Sequence, residues 1–212
     1  MGKPELSVQE VREMIVFVAR GMIESKDRLT QADKAIGDGD HGIGMARGFE
    51  SVIQKVEGQE FATLEALFKL VGMTLLTSIG GAAGAVFGTL FLGAAKNLKD
   101  QDVLTAKVFS RMLQDGLQAV KDRGRAKPGD KTMVDALEPA AAEARNRETA
   151  PLDEALAAIV EAARLGMEKT KEMVAAVGKA KTLGERALGH PDPGAVSIFL
   201  ILDSMKEYIA EA

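Results

Sequence analysis

The chain has 212 residues, of which 27% are charged and 46% are hydrophobic, and its formal net charge is -4. This length suits one domain with a sizeable core, and the charge balance argues against a broad nucleic-acid surface. The lack of cysteine excludes disulfides and thiolate metal sites. The first residues form no apolar stretch, so we expect no signal peptide and a cytoplasmic protein.

Helical periodicity runs through most of the chain. Ser7 and Glu10 form a capping box ahead of the first helix, and no segment shows the sustained alternation that indicates a strand. The predicted helices cover residues 8 to about 30, 45–57, 63–78, 84–97, 105–124, a segment through 133–141 with a bend at Pro139, 152 to about 177, and 195–210. We therefore predict one all-α domain of eight helices that spans residues 1–212.

Residues 70–95 contain no charged side chain and are long enough to span a bilayer. However, Gly80 and Gly81 divide this stretch into two segments that are each short for a span. Lys69 and Lys96 flank it symmetrically, so they give no orientation bias. We favour two buried helices joined by a glycine turn, with a membrane segment as the alternative.

Four glycine-rich connections follow the first, third, fifth and seventh predicted helices. They hold residues 33–44, 78–84, 124–132 and 178–194. Short connections make neighbouring helices antiparallel, so these four lie at the same end of an up-and-down bundle. Their convergence predicts one composite site at that end.

The first connection carries Asp33, Asp38, Asp40 and His41 within nine residues, and three glycines, at positions 37, 39 and 42, separate or flank them. Clustered carboxylates destabilise a fold unless a cation lies between them. Oxygen ligands in a glycine loop suit Mg²⁺, which commonly also binds substrate phosphates. Helix capping explains one or two of the aspartates, whereas a magnesium–phosphate site explains all three. The literal G-x-G-x-x-G match at residues 37–42 lacks the preceding strand of a dinucleotide fingerprint, and no EF-hand spacing follows.

The second connection has two interpretations. Gly80 and Gly81 either permit tight helix packing or leave free N–H groups at a helix start, where anions bind. In the second interpretation Ser78 adds a hydroxyl donor.

The third connection resembles a P-loop with one residue inserted, and the insertion displaces Lys131 from a phosphate. It is either a turn in which Asp130 or Thr132 caps the sixth helix, or the wall of an adenine pocket formed by Gly124 and Met133. The local sequence leaves both interpretations open.

Read together, these loops resemble one family, DhaL, the nucleotide-binding L subunit of dihydroxyacetone kinase. The matching stretches are 36–42 (IGDGDHG), 72–84 (GMTLLTSIGGAAG), 123–133 (RGRAKPGDKTM) and 183–195 (LGERALGHPDPGA), in the family's order. The resemblance covers essentially the whole chain. It implies an eight-helix antiparallel barrel that binds ADP or ATP and two Mg²⁺ ions at one end.

The resemblance also implies the site residues. The metal ligands fall on Asp33, Asp38 and Asp40. The nucleotide contacts fall on His41, Gly42, Ile43, Gly44, Ala82, Ala83, Gly124, Met133, Lys179, Asp192, Pro193 and Gly194, and the glycine turn adds Ser78 and Gly81. Lys179 stands where relatives often have Arg and lacks the bidentate fork. Gly44 offers only backbone where relatives often have Asn.

The implied activity is phosphoryl transfer to dihydroxyacetone, which a separate K subunit holds covalently on its own histidine. His41 is therefore not the carrier. ADP would be rephosphorylated in place by an M subunit of the phosphotransferase system. The alternatives are an ATP-exchanging subunit of a related small-ketose kinase and a non-catalytic nucleotide-binding regulatory module. We expect no nucleic-acid or membrane partner, and a homodimer stays open.

Overall fold

The computed structural model describes residues 3–211. Part of the segment on which the signal-peptide expectation rests, Met1 and Gly2, lies outside the described residues, as does Ala212. The α-helices are α1 (Val8–Glu24), α2 (Lys26–Ile36), α3 (His41–Val56), α4 (Leu64–Ser78), α5 (Gly81–Ala94), α6 (Ala106–Gly124), α7 (Val134–Asn146), α8 (Leu152–Lys169) and α9 (Pro193–Glu211). Two 3₁₀ segments, Thr170–Glu172 and Lys179–Ala187, lie between α8 and α9. The predicted all-α class is confirmed.

Eight of the helices form a closed ring. Each of α3 to α8 packs on the next helix along the chain, α1 packs on α3, and α9 packs on α1. The remaining helix, α2, continues α1 beyond Ser25 and packs on α3 and α9. The predicted eight-helix antiparallel barrel is therefore present, with its first helix divided in two.

Inside the ring the buried apolar side chains form one continuous cluster, from Leu6 to Ile209. Phe49 and Phe87 are its largest fully buried side chains. The apolar stretch 70–95 folds as α4 and α5, two helices that pack on each other around the turn at Gly80. Within residues 3–211, no helix is both long enough and apolar enough to cross a membrane.

Three predicted helix boundaries were wrong near the acidic connection and the glycine turn. The first helical segment extends to Ile36 rather than about residue 30, so Asp33 lies on α2 and not in a loop. α3 begins at His41 rather than after Gly44, and α5 begins at Gly81 rather than Gly84. Glycine has a low helix propensity, so the sequence placed these starts too late, although the first turn of a helix tolerates glycine well.

The segment between α8 and α9 also differs from the prediction. α8 ends at Lys169 instead of about residue 177, because the Thr170 carbonyl accepts a hydrogen bond from Lys131 and the chain turns away. The predicted loop contains a 3₁₀ run interrupted at Gly184, where φ is 58°. α9 begins at Pro193, since proline suits the first position of a helix.

The expectation of no strand was wrong, because the protein contains two short strands. β1 (Glu5–Ser7) and β2 (Val103–Thr105) pair antiparallel, with Leu6 opposite Leu104. Three residues are too few to produce a readable alternation. The ribbon joins the starts of α1 and α6 at the end of the ring opposite the glycine-rich connections.

Candidate functional site

A cavity of about 540 Å³ opens at the end of the ring where α3, α5, α7 and α9 begin. Its wall includes residues from all four glycine-rich connections, among them Asp40, Gly81, Gly124 and Gly178. The predicted convergence of these connections on one end is confirmed.

The three predicted metal-binding aspartates come together at the rim of the cavity. Asp33, Asp38 and Asp40 each offer a carboxylate oxygen, and these atoms lie within 4.8 Å of one another. Asp33 is buried and accepts a hydrogen bond of 3.2 Å from the His41 amide, whereas Asp38 and Asp40 are exposed. A Cβ at Gly37 would overlap the Asp33 carboxylate, which explains the glycine at this position. Three converging oxygen donors fit a hard divalent ion such as Mg²⁺.

Lys179 reaches this cluster from the 3₁₀ segment that precedes α9. Its ammonium group donates to Asp38 and lies 3.4 Å from an Asp40 oxygen. The hydrogen bond from Lys179 lowers the pKa of Asp38, and the same bond raises the pKa of Lys179. The lysine thus partly balances two exposed carboxylates that would otherwise repel each other.

The start of α5 forms a second wall of the cavity. Its N-cap, Gly80, has φ 81°, a left-handed conformation that glycine adopts without strain, and makes no side-chain capping bond. The first intrahelical bond in this turn joins the Gly84 amide to the Gly80 carbonyl at 3.0 Å. The amides of residues 81–83 therefore have no acceptor within the helix, and they lie at its positive end.

His41 forms the buried start of α3. Its Nε2 lies 2.8 Å from the Ser197 hydroxyl, which itself donates to the Pro193 carbonyl at 3.1 Å. Since that hydroxyl has only one hydrogen, Nε2 is the donor in the contact with Ser197. Burial lowers the pKa of His41, so the ring is neutral at neutral pH. His41 ties α3 to α9 beside the carboxylates.

The P-loop-like segment does not present its lysine to the cavity as a phosphate ligand. Lys131 is buried, and its ammonium donates to the carbonyls of Thr170, Ala187 and His190 at 2.5, 2.9 and 2.7 Å. All three of its donors are used. Lys131 therefore fastens the chain between α8 and α9 to the start of α7.

Both interpretations of that segment hold in part. The N-cap of α7 is Met133 rather than Asp130 or Thr132, but the Thr132 hydroxyl accepts a hydrogen bond of 3.2 Å from the Val134 amide at the helix start. At the same time, Gly124 and Met133 line the cavity. Val86, Phe87 and Val120 are among the apolar residues that also line it.

Asp192 closes the wall at the start of α9. Its carboxylate accepts a hydrogen bond of 2.8 Å from the Ala195 amide and so caps the helix. Burial raises the pKa of Asp192 to about 7, and the charge of Asp135 acts in the same direction. The carboxyl group is therefore poised to change charge near neutral pH.

Comparison with known proteins identifies the family. The DAK2 domain family matches residues 35–207. The ADP-binding subunit DhaL of the PEP-dependent dihydroxyacetone kinase 1 of Listeria innocua is 40% identical over 182 residues, which cover 86% of this chain and 87% of that protein. The DhaL subunit of Escherichia coli K12 is 39% identical over 179 residues, 84% and 85% of the two chains. This chain belongs to the DhaL family.

A solved structure supports the fold of this DhaL-family chain. The dihydroxyacetone kinase from C. freundii, in complex with AMP-PNP and Mg²⁺, matches with a TM-score of 0.73 and 27% identity. The match covers 93% of the DhaL-family chain but 33% of the C. freundii chain. The chain thus spans about a third of that kinase. The family is one of kinase subunits, as the resemblance implied.

Most predicted nucleotide contacts of the DhaL-family chain line the cavity. These are His41, Ile43, Gly44, Gly81, Ala82, Ala83, Gly124, Met133, Lys179, Asp192, Pro193 and Gly194, together with Asp33 and Asp40 of the metal set. Three predicted residues are not part of this wall. Gly42 packs against α2, Ser78 offers its carbonyl to Arg47, and Asp38 lies outside the cavity beside Lys179.

The sequence missed two basic residues of the cavity. Arg47 holds the end of α4, and Lys131 holds the segment before α9. Both donate hydrogen bonds to backbone carbonyls that are distant in sequence, so no local sequence pattern predicts these contacts. Lys131 has φ 60°, unusual for a lysine, but the sequence alone does not reveal this strain.

Proposed function

We propose that this chain is the nucleotide-binding subunit of a dihydroxyacetone kinase. It binds ADP or ATP with two Mg²⁺ ions in the cavity and supplies the phosphoryl group to dihydroxyacetone held on a separate K subunit. One observation carries the proposal: Asp33, Asp40 and the free amide end of α5 line the same cavity, and the third carboxylate, that of Asp38, converges with the other two at its edge. The names of the relatives, ADP-binding subunits and a kinase complex with AMP-PNP and Mg²⁺, support it.

In this proposal Asp33, Asp38 and Asp40 hold the metal. Asp33 is the fixed member of the set, since the His41 amide orients its carboxylate. Magnesium, when bound, neutralises negative charge on the phosphate oxygens and so favours phosphoryl transfer. Lys179 places a further positive charge beside the exposed carboxylates.

The chain's own groups would position the nucleotide. The amides of residues 81–83 donate to phosphate oxygens, as free amides at helix starts do. The apolar part of the cavity, which includes Val120 and Met133, accepts the base. Asp192, Pro193 and Gly194 complete the wall at the start of α9. Because phosphoryl transfer depends mainly on positioning and charge, this arrangement suffices on the nucleotide side of the reaction.

The acceptor side belongs to a partner in this proposal. His41 is buried, neutral and bonded through Nε2 to Ser197, so it is a poor covalent carrier for a sugar. The K subunit would supply the histidine that holds dihydroxyacetone. An M subunit of the phosphotransferase system would rephosphorylate ADP without its release.

The binding half of the proposal is tested by Asp38→Asn. We expect the variant to lose Mg²⁺-dependent ADP binding in isothermal titration calorimetry while its circular dichroism spectrum stays unchanged. Asp102→Asn is the matched control, since Asp102 is an exposed aspartate beside β2 at the opposite end of the ring. Wild-type ADP affinity in Asp38→Asn would refute the assignment.

The catalytic half is tested by reconstitution. The isolated chain is expected to leave dihydroxyacetone unphosphorylated and to turn over only when K and M subunits are added. Turnover by the chain alone would refute the division of labour. Nucleotide binding without turnover, even with both partners, would indicate a regulatory module.

An ATP-exchanging small-ketose kinase is the second candidate, because the C. freundii kinase is bound to a triphosphate analogue. Mass spectrometry of the native protein separates the two candidates. Retained ADP with slow release supports rephosphorylation in place, whereas rapid exchange with added ATP supports the second candidate.

A further inference from the structure

The cavity wall contains three basic residues among those described, namely Arg47, Lys131 and Lys179. Lys131 uses all three of its donors on backbone carbonyls. Lys179 is paired with Asp38 and Asp40. Arg47 is the remaining cation, and nothing in the resemblance assigns it a role.

Arg47 projects from α3 against the turn that starts α5. Its Nε donates to the Ser78 carbonyl at 2.8 Å, and one terminal nitrogen donates to the Ile79 carbonyl. These two carbonyls lie at the C-terminal, negative end of α4. The guanidinium thus neutralises oxygens that would otherwise repel an anion at the adjacent start of α5.

The contact leaves Arg47 with unused donors. A guanidinium has five N–H groups, and two are used on the carbonyls, so three remain. The side chain is exposed, and no carboxylate of the described chain pairs with it. An anchored guanidinium with free N–H groups at a cavity wall is well suited to bind phosphate.

The local backbone holds this guanidinium close to the turn. A Cβ at Gly44, one turn earlier on α3, would lie 3.1 Å from the Ile79 carbonyl oxygen. A Cβ at Gly80 would lie 3.1 Å from a terminal nitrogen of Arg47. The glycines therefore allow α3 and the turn to approach closely, so that Arg47 lies at the turn that leads into α5 and lines the same cavity as residues 81–83.

We propose that Arg47 is a phosphate-binding residue of the nucleotide site: anchored on the Ser78 and Ile79 carbonyls, it donates its remaining N–H groups to the polyphosphate. The inference rests on the proposed function. Arg47 would then be a third group that binds phosphate, in addition to the metal site and the amides of α5. Its contacts also link α3 to the glycine turn.

The test is Arg47→Gln, with binding of ADP and of adenosine measured in the presence of Mg²⁺ by NMR titration, which detects weak binding. We expect ADP to bind about 10- to 100-fold more weakly, the loss typical of a charge-assisted hydrogen bond, and adenosine to bind within about twofold of wild type. Arg12→Gln is the matched control, because Arg12 also donates to a backbone carbonyl, that of Gln59, outside the cavity wall.

Two results would overturn the role of Arg47. One is unchanged ADP affinity in Arg47→Gln; the other is an equal loss of ADP and adenosine affinity. Hydrogen exchange of residues 79–84 in the ligand-free proteins supplies a further check. Unchanged protection supports direct phosphate binding, whereas faster exchange in Arg47→Gln would reduce Arg47 to a clamp on the turn. If wild-type protein itself fails to bind ADP, the proposed function fails instead.

Discussion

The two ends of the helical ring differ in how the first amides of their helices are hydrogen-bonded. At the ribbon end, Ser7, Thr63 and Thr105 each accept a hydrogen bond from an amide in the first turn of α1, α4 and α6. Further backbone bonds tie this end together, such as that from the Leu64 amide to the Gln101 carbonyl at 2.7 Å. Helix starts at this end are mostly satisfied by the protein itself.

At the cavity end, the N-cap residues of α3, α5 and α7 make no side-chain capping bond. These residues are Asp40, Gly80 and Met133. Each end has one exception, since α8 starts uncapped after Pro151 and Asp192 caps α9. At α3 and α7 other side chains bond the first amide, since Asp33 accepts from His41 and Thr132 accepts from Val134. A missing cap costs about 1 kcal/mol, so the comparison indicates that the start of α5 gives up stability to keep amides available for a ligand.

The largest stability effect at the cavity end is expected for Lys131→Met. Removal of the ammonium leaves two buried carbonyls and one partly buried carbonyl without their donor, which we expect to cost about 2–4 kcal/mol in the free energy of unfolding. Chemical denaturation measures this loss, and hydrogen exchange should locate it in residues 170–192. Lys127→Met, which changes an exposed lysine of the same connection, is the control. A change below 0.5 kcal/mol, within the range of ordinary surface substitutions, would contradict the role of Lys131.

Asp192 gives the stability of the cavity end a pH dependence opposite in sign to that of Glu10 at the ribbon end, whose pKa is lowered to about 2 by hydrogen bonds from Lys3 and Ser7. Its pKa is raised to about 7 in the folded protein, so the folded state holds this proton over a pH range in which the unfolded state has lost it. Its contribution to stability is therefore present at acidic pH and is lost as the pH rises towards 7. Relative to wild type, Asp192→Asn should gain on the order of 1–2 kcal/mol between pH 4 and pH 8. Parallel stability profiles for the two proteins would exclude the raised pKa.

The ribbon-end caps should affect stability alone. Ser7→Ala and Thr105→Ala each remove a side-chain acceptor from a helix start and should each lower the free energy of unfolding by about 1 kcal/mol. ADP affinity should stay within twofold of wild type in calorimetry. If either variant lost nucleotide binding, the separation of roles between the two ends would be wrong.

The smallest effect is expected for Lys179→Gln, and it should have opposite signs for two ligands. Loss of the ammonium leaves Asp38 and Asp40 unbalanced, so Mn²⁺, as a probe for Mg²⁺, should bind about two- to fivefold more tightly. ADP should bind more weakly, since a positive charge beside its phosphates is gone. Electron paramagnetic resonance measures the free Mn²⁺. Changes of the same sign for both ligands would contradict this assignment.

The sequence predicted the parts of the fold that local patterns encode. The capping box at Ser7 and Glu10 is formed as predicted. Counting the connections also predicted that the four glycine-rich loops share one end, because alternation of helix direction requires no long-range contact. The glycine-rich first turns of α3 and α5 were not predicted as helix, since the low helix propensity of glycine argues against helix there.

The contacts that build the cavity could not be read from the sequence. Arg47 binds carbonyls 31 and 32 residues away, and Lys131 binds carbonyls 39, 56 and 59 residues away. An arginine on a helix surface has the same local pattern whether it faces water or a neighbouring turn. The sequence predicted that the insertion displaces Lys131 from a phosphate, but not that its ammonium group is bonded to three backbone carbonyls. Such roles depend on tertiary packing alone.

A crystal structure of the protein grown with Mg²⁺ and ADP tests the central claim most directly. We predict metal bound to oxygens of Asp33, Asp38 and Asp40 at about 2.0–2.1 Å, with the diphosphate beside the amides of residues 81–83. A nucleotide bound at the ribbon end, or ADP in the cavity with all three carboxylates free of metal, would contradict it.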